Sequence, residues 1–388
     1  MQHFSRRSFL KTTAAGLCTA GLPFSGFGQQ SHAGLASELA AHNHAVLDRS
    51  SWIRDPFVTR ARNGLFYLTG TTQPPSGTDD VSRDVRNPPP GDFVRVWSSA
   101  DLVSWQNVGP IVSLKDMASY TTERATFNAN PEAEWHVWAP ELHQRADGRW
   151  GLVFTIPPPL RPKVGAALML SATNDLHGPW SNPMGANVGL RHDPSLFCDD
   201  DGTWWMIWGN TAIAPLKPDW SGYAAEPLQI HPSDAVAMGH EGCTIQKIEG
   251  KYVLFGTGWS TSKWRKGSYN LYYATADKVT GPYGKRRLLG RFMGHGTPFQ
   301  DKQGKWWCTA FPNANDPAIS ADGIEHRDLS HGASTINPEG LTLVPLSVEK
   351  VKGDVEIRAL DPRYSTPGPD EAATWTGKIT IGQPGSNI

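Results

Sequence analysis

Five times along the chain a short polar turn containing glycine leads into a run of aromatic and aliphatic residues. The runs are "NGLFYLTG" (63–70), "DGRWGLVF" (147–154), "DGTWWMIW" (201–208), "EGKYVLFG" (249–256) and "QGKWWCTA" (303–310). Each is short, bounded by turn residues and rich in strand-forming side chains, which predicts hairpins and not helices. The turn glycines Gly64, Gly148, Gly202, Gly250 and Gly304 are separated by 84, 54, 48 and 54 residues. Recurrence at roughly fifty residues predicts repeated four-stranded blades, hence an all-β, five-bladed β-propeller around a central channel. The first spacing implies a long insertion in the first blade. A second series, "SADLVSW" (99–105), "SATNDLHGPW" (171–180) and "ATADKVTGPY" (274–283), supplies turns after strands in the outer half of a blade.

Helical patterning is scarce and confined to "LASELAAHNHAVLDR" (35–49). The expected organisation is an export signal over residues 1–33, a short helical segment over 34–48 and the propeller over 49–388. After about residue 345 the chain is expected to return a strand to the propeller and then trail off. Composition agrees with a turn-rich β-protein: 39 Gly, 31 Pro and 16 Trp in 388 residues, with 19% charged residues. A formal charge of −1 gives no reason to expect nucleic acid or an anionic membrane as partner.

At the N-terminus, "SRRSFLK" (5–11) places Arg6 and Arg7 ahead of the mildly apolar "TTAAGLCTAGLPFSGFG". Paired arginines before a short apolar stretch resemble a twin-arginine export signal. Cleavage near residues 28–33 would remove Arg6, Arg7 and Lys11 and no acid, leaving 33 basic against 37 acidic residues. Cys18 follows Leu17, which does not suit a lipoprotein site, and the apolar segment is weak for a permanent anchor. A periplasmic or extracellular destination is expected. Export would permit disulfides, yet only Cys198, Cys243 and Cys308 remain, and they read as buried free thiols.

The chemistry emerges by counting back nine residues from each turn glycine. Four of the five positions are ionisable: Asp55, Asp193, Glu241 and His295; the second repeat gives Ala139 in "VWAPELH". The innermost strand of each blade lines the channel, so equivalent positions at its start form a ring at one mouth. Clustered carboxylates repel one another and lose hydration, so their convergence marks a functional site. Trp135 and Trp138 beside this ring read equally as ordinary blade packing or as the apolar wall of a substrate pocket. His192 and His240, which precede Asp193 and Glu241, are expected to bind substrate.

"IRDPFV" with Asp55, "HDPSLF" with Asp193, "HEGCTI" with Glu241 and "GHGTPF" with His295 resemble glycoside hydrolase family 43, as do "VWAPE" (137–141) and the turn at 99–105. The resemblance covers roughly residues 48–345 and extends to family 117-type relatives. It implies Asp55 as general base, Glu241 as general acid and Asp193 as the residue that tunes the acid. It also implies that His295 helps hold a hydrated calcium or sodium ion in the channel, with no organic cofactor. Zinc would want further His or Cys ligands. Inverting hydrolysis needs acid and base on opposite faces of the sugar, which residues from different blades can provide.

The resemblance implies arabinofuranosides, xylosides or galactans as substrates. The loop-like stretches 71–93 and 118–135 would make the mouth a pocket and the action exo if they wall one side. Two other readings stand beside this one. An anhydrogalactosidase acting on algal galactans would share the acidic site with a different acid, and its oligomer could use the helical segment. A non-catalytic carbohydrate-binding propeller is disfavoured by the intact Asp55, Asp193 and Glu241. Oligomeric state has no signature in the sequence.

Overall fold

The computed structural model of the chain describes residues 32–48, 53–72, 91–117, 136–157, 165–189, 191–234, 238–239, 241–261, 266–310, 314–316, 328–329, 334–335 and 341–367. Residues 1–31 of the expected export signal fall outside them. Five antiparallel sheets form the blades of a β-propeller. Blade I consists of Arg54–Arg60, Phe66–Thr71, Phe93–Ser99 and Trp105–Ser113. Blade II is Trp138–Gln144, Trp150–Ile156, Gly165–Ser171 and Trp180–Ser181. Blade III is Ser195–Cys198, Trp204–Trp208, Ala212–Pro215 and Leu228–Gln229, and blade IV is Thr244–Ile248, Lys251–Trp259, Gly267–Ala276 and Arg287–Gly290. Blade V runs Pro298–Gln300, Trp306–Ala310 and Leu341–Val351.

The fourth strand of blade V is a composite. Val46–Asp48 pairs with one end of Leu341–Val351, through Val46↔Leu343, and Asp354–Ala359 pairs with the other, through Leu346↔Ala359. The first and last parts of the propeller thus close the ring on one strand. Asp361, fully buried, clasps the two: it accepts from the Ala45 N–H at 2.7 Å and from the Arg363 guanidinium at 2.6 Å. The segment 34–48 is therefore helical only in part. The helix is His32–Ala41, which docks Leu35 and Leu39 into the seam between blades I and V, whereas residues 46–48 are strand because Leu341–Val351 offers them an open edge.

The repeated glycines sit in the turns between the first and second strands, all with positive φ: Gly64 +78°, Gly148 +89°, Gly202 +84°, Gly250 +81° and Gly304 +79°. In blades I, II, III and V the residue before the turn and the one after it close a further backbone pair, as in Ala61 N–H to Leu65 O at 2.9 Å. Blade IV is tighter: Ile248 pairs directly with Lys251 across Glu249 and Gly250, both left-handed. Apolar side chains fill the space between neighbouring blades, and clusters such as Val153, Leu168, Leu196, Met206 and Trp220 between blades II and III are essentially closed to water. Cys243 and Cys308 are buried free thiols as expected, but Cys198 is exposed, because it ends its strand at the turn face and not in the core.

A chain that enters an inner strand at the mouth leaves the second strand there too. Thr72 and Gly91, which flank one inserted stretch of blade I, are joined by a Gly91 N–H to Thr72 O bond of 2.7 Å, and Val137 N–H reaches Gly91 O at 2.8 Å. The stretches 73–90 and 118–135 themselves lie outside the described residues. Blade V carries a second large insertion between Ala310 and Leu341 that the repeat pattern did not reveal; its residues 328–329 run parallel to Gly267–Ser268 of blade IV. Among the described residues no helix is long and apolar enough to cross a membrane.

Candidate active site

Each inner strand begins with the same irregularity. Two residues before the pair Phe57↔Thr69, and before its counterparts Glu141↔Val153, Ser195↔Ile207 and Thr244↔Phe255, the backbone turns left-handed. The residues that do so are Asp55 (φ +50°), Ala139 (+45°), Asp193 (+44°), Gly242 (+58°) and, in blade V, His295 (+57°). Asp and His are among the side chains that tolerate this region best, and bulges at a sheet end re-aim side chains toward a site. The register corrects one position of the sequence count. The shorter turn of blade IV shifts its strand by one residue, so Gly242 is the structural equal of Asp55 and Asp193. Glu241 belongs instead to the preceding ring, with Arg54, Trp138, His192 and Gly294.

These two rings bring the charged residues together. The His295 Nδ1 stands 3.2 Å from Asp55 Oδ1 and 3.5 Å from Asp193 Oδ2. The His192 Nε2 stands 3.4 Å from Asp193 Oδ1 and 4.0 Å from Glu241 Oε2. Side-chain exposure is 6% at Asp193, 15% at Asp55 and 22% at Glu241, so Asp55 and Glu241 are open to a substrate while Asp193 lies behind them. Gly242 is glycine for want of room as well as for its φ, since a Cβ there would stand 2.8 Å from the His295 ring.

Threonines on the second strands fix the carboxylates. Thr71 donates to Asp55 Oδ2 at 2.8 Å and accepts the Ala139 N–H of the next blade at 2.8 Å. Thr155 donates to Asp193 Oδ1 at 3.0 Å and accepts the Asp193 N–H at 2.8 Å. Thr257 donates to the Glu241 carbonyl at 2.6 Å. All three stand seven residues after a turn glycine, a signal in the repeats that the sequence reading passed over. Tyr269, whose hydroxyl donates to Glu241 Oε1, had no such signal.

The electrostatics push the two accessible carboxyls apart. Burial alone would raise Asp55, but the His295 charge and hydrogen bond, aided by Arg54 and Thr71, outweigh it and hold the group well below the usual carboxylate range. Burial and then the charge of Asp193 push Glu241 up, against the pull of His192 and His295. Burial works against a charged His295, yet Asp55 and Asp193 raise it to about 10. His295 is thus an imidazolium between two carboxylates. Its Nδ1 is committed to them, and a cation in the channel could meet only Nε2, which would then have to give up its proton. Among the described residues, the ligand atoms close enough together for one ion belong to His192, Asp193 and Glu241, within 4.8 Å of one another, and not to His295.

Of the remaining sequence-predicted residues, Trp138 opens the inner strand of blade II, half-buried and paired across the strands with Thr155. His192 is buried beside Glu241, and its Nδ1 has no hydrogen-bond partner among the described residues. Trp135 and His240 lie outside the described residues.

A five-bladed propeller thus gathers at one mouth carboxyls whose pKa values are pushed in opposite directions, an arrangement suited to acid–base chemistry. Comparison with known proteins names the lineage: the chain belongs to the glycosyl hydrolases family 43, whose family model matches residues 50–317. It is similar to a beta-D-galactofuranosidase of Aspergillus niger, 25% identical over 233 residues that make up 53% of this chain and 62% of that protein. It is also similar to the extracellular endo-alpha-(1->5)-L-arabinanase 2 of Bacillus subtilis, 24% identical over 250 residues, 55% of this chain and 49% of that one. The matches therefore span only about half to three fifths of these relatives' length. Among solved structures, an exo-1,5-alpha-L-arabinanase from a bovine ruminal metagenomic library shares the fold with a TM-score of 0.54 at 19% identity, over 81% of this chain and 98% of that one. The BlXynB protein of Bacillus licheniformis does so with a TM-score of 0.55 at 18% identity, over 86% and 61%.

Proposed function

We propose that the chain is a secreted, inverting glycoside hydrolase that removes arabinofuranosyl, xylosyl or galactosyl units from plant or algal polysaccharide oligomers. The observation that carries this reading is the opposite displacement of two accessible carboxyls in one cleft, Asp55 held below the usual carboxylate range and Glu241 above it. Asp55 takes a proton from water, which attacks the anomeric carbon from the face opposite the leaving group. Glu241 gives its proton to the glycosidic oxygen, which keeps the electron pair of the breaking bond. Asp193, too enclosed to meet the sugar, serves by its charge: it keeps the proton on Glu241. The hold of His295 on Asp55 favours its ionised form while reducing its basicity.

The substrate range follows the relatives, whose names cover a galactofuranosidase and an arabinanase. Exo action is supported by the position of the two blade I insertions, both anchored at the mouth through Thr72, Gly91 and Val137. Export is supported by Arg6 and Arg7. A hydrated calcium or sodium ion near His295 belongs to the same proposal, with Nε2 as the nitrogen that would face it. Such an ion would add positive charge beneath Asp55 and Asp193.

The test compares leaving groups. Glu241→Gln should nearly abolish cleavage of natural oligosaccharides while sparing much of the activity on aryl glycosides that need little protonation. Proton NMR of the first product should show inverted anomeric configuration. Retention, or equal loss on both substrate types, would refute the assignment.

A further inference from the structure

A carboxylic acid has two oxygens and one proton, and a general acid is useful only if the proton rides on the oxygen that faces the leaving group. The surroundings of Glu241 settle which oxygen that is. Tyr269, 3% exposed at the mouth end of the third strand of blade IV, donates its hydroxyl to Glu241 Oε1. The other oxygen, Oε2, faces His192 Nε2 at 4.0 Å. The tyrosine has a single O–H, and its alternative acceptor, Thr257 Oγ1, is 3.3 Å away. That threonine in turn spends its own proton on the Glu241 carbonyl at 2.6 Å. Backbone and carboxyl of Glu241 are therefore held from one side by a Thr257–Tyr269 pair.

The seat of Tyr269 is built for it. Its ring lies 5.0 Å from that of Trp259, its cross-strand neighbour, and its carbonyl accepts the Gly294 N–H at 3.2 Å. A Cβ on Gly294 would fall 2.1 Å from the Tyr269 ring, so only glycine lets the phenol reach the acid. Gly294 occupies in blade V the ring position that Glu241 fills in blade IV. The fold gives up a side chain there and gains room for a hydrogen bond to the equivalent side chain next door.

We propose that Tyr269 is a positioning residue for the general acid: by donating to Oε1 it places the transferable proton on Oε2 and stabilises the carboxylate left after transfer. This rests on the assignment of Glu241 as the acid. In the step itself the proton passes from Oε2 to the glycosidic oxygen as the bond to the anomeric carbon breaks, and that oxygen takes the electron pair. Glu241 becomes a carboxylate whose bond from Tyr269 is now charge-assisted, about twice as strong as a neutral one. Tyr269 therefore helps the transition state more than the bound substrate, and only to the extent that the leaving group needs a proton.

Tyr269→Phe removes one oxygen and leaves the ring in place. Its kcat on a natural oligosaccharide should fall about ten- to a hundredfold, a part of the 10²–10⁴ that acid catalysis contributes, with KM nearly unchanged. On a dinitrophenyl glycoside of the same sugar kcat should change by no more than about threefold, since that leaving group departs unassisted. Gly294→Ala, which displaces the ring but keeps the hydroxyl, should show the same selectivity. In a Glu241→Gln background, Tyr269→Phe should cause no further loss. Equal losses on both leaving groups, or a full further loss in the Glu241→Gln background, would overturn the proposal and leave Tyr269 a packing residue. Equal loss caused by Glu241→Gln alone would instead overturn the acid assignment, and the proposal with it.

Discussion

The two ends of the channel strands use left-handed backbone in opposite ways. At the turn face all five repeats place glycine there, and at Gly64, Gly202, Gly250 and Gly304 an added Cβ would meet nothing within 4 Å. At the mouth the left-handed residue is Asp55, Ala139, Asp193 or His295, with glycine only at Gly242. Left-handed backbone costs a non-glycine residue roughly 1 kcal/mol or more. The turn face avoids that cost in every blade but IV, where Glu249 is left-handed beside Gly250, because nothing there depends on a side chain. The mouth accepts it several times over, because the bulge is what delivers three ionisable groups to one point. One face is arranged for stability and the other for chemistry, within a single strand length.

The sharpest break in this contrast should come from the mouth. On the proposed assignment, Asp55→Asn removes the group that activates water, which no leaving group can replace. It should lower kcat on every substrate about 10³- to 10⁴-fold, measured alike on oligosaccharides and aryl glycosides. Survival of aryl-glycoside activity would exclude Asp55 as the base.

Paired glycine substitutions come next. Gly242→Ala pushes a methyl group into the His295 ring and should cut kcat/KM about a hundredfold by misplacing the charge cluster, whereas Gly202→Ala should leave activity intact and cost about 1 kcal/mol of stability. Thermal melts beside kinetics on the two variants would check this, and equal effects on activity would erase the distinction between the two faces.

Asp193→Asn tests the charge that, after burial, raises Glu241. Removing a neighbouring negative charge makes the proton easier to lose, so the alkaline limb of the kcat/KM profile, set by deprotonation of Glu241, should move to lower pH. A limb that stays in place would mean that burial alone raises Glu241.

The smallest effect is the most pointed. Ala139 bears the left-handed strain without contributing an ionisable group, so Ala139→Gly should stabilise the protein by about 1 kcal/mol, or roughly 2–4 °C in Tm, with activity unchanged.

The architecture was legible in the sequence because a propeller repeats a local event, and glycine in a hairpin turn is written in the residues themselves. Asp55, Asp193 and His295 were legible for the same reason, since they keep a fixed distance from that turn. Glu241 was found through a count that is off by one in blade IV, where the turn is one residue shorter than in the other blades; the site draws on two adjacent positions, so the count still struck a participant. Tyr269 was out of reach, since its contact with Glu241 joins different strands 28 residues apart. So was the strand at 46–48, whose partner Leu341–Val351 lies near the other end of the chain, and the exposure of Cys198, which depends on where its strand stops.

The seam between blades I and V has a consequence in time. Asp55 comes from the first blade and His295 from the approach to the last, and Thr309 braces Pro56 across the same boundary with a 2.6 Å bond to its carbonyl. A growing chain can finish blades II, III and IV from neighbouring residues. His295 meets Asp55 across the seam that residues near 46 and 343 close, the strand pairing of greatest sequence separation among the described residues and of the kind that forms slowly. If Asp55 is the base proposed above, a ring held ajar at this seam would be a largely folded protein with an idle base.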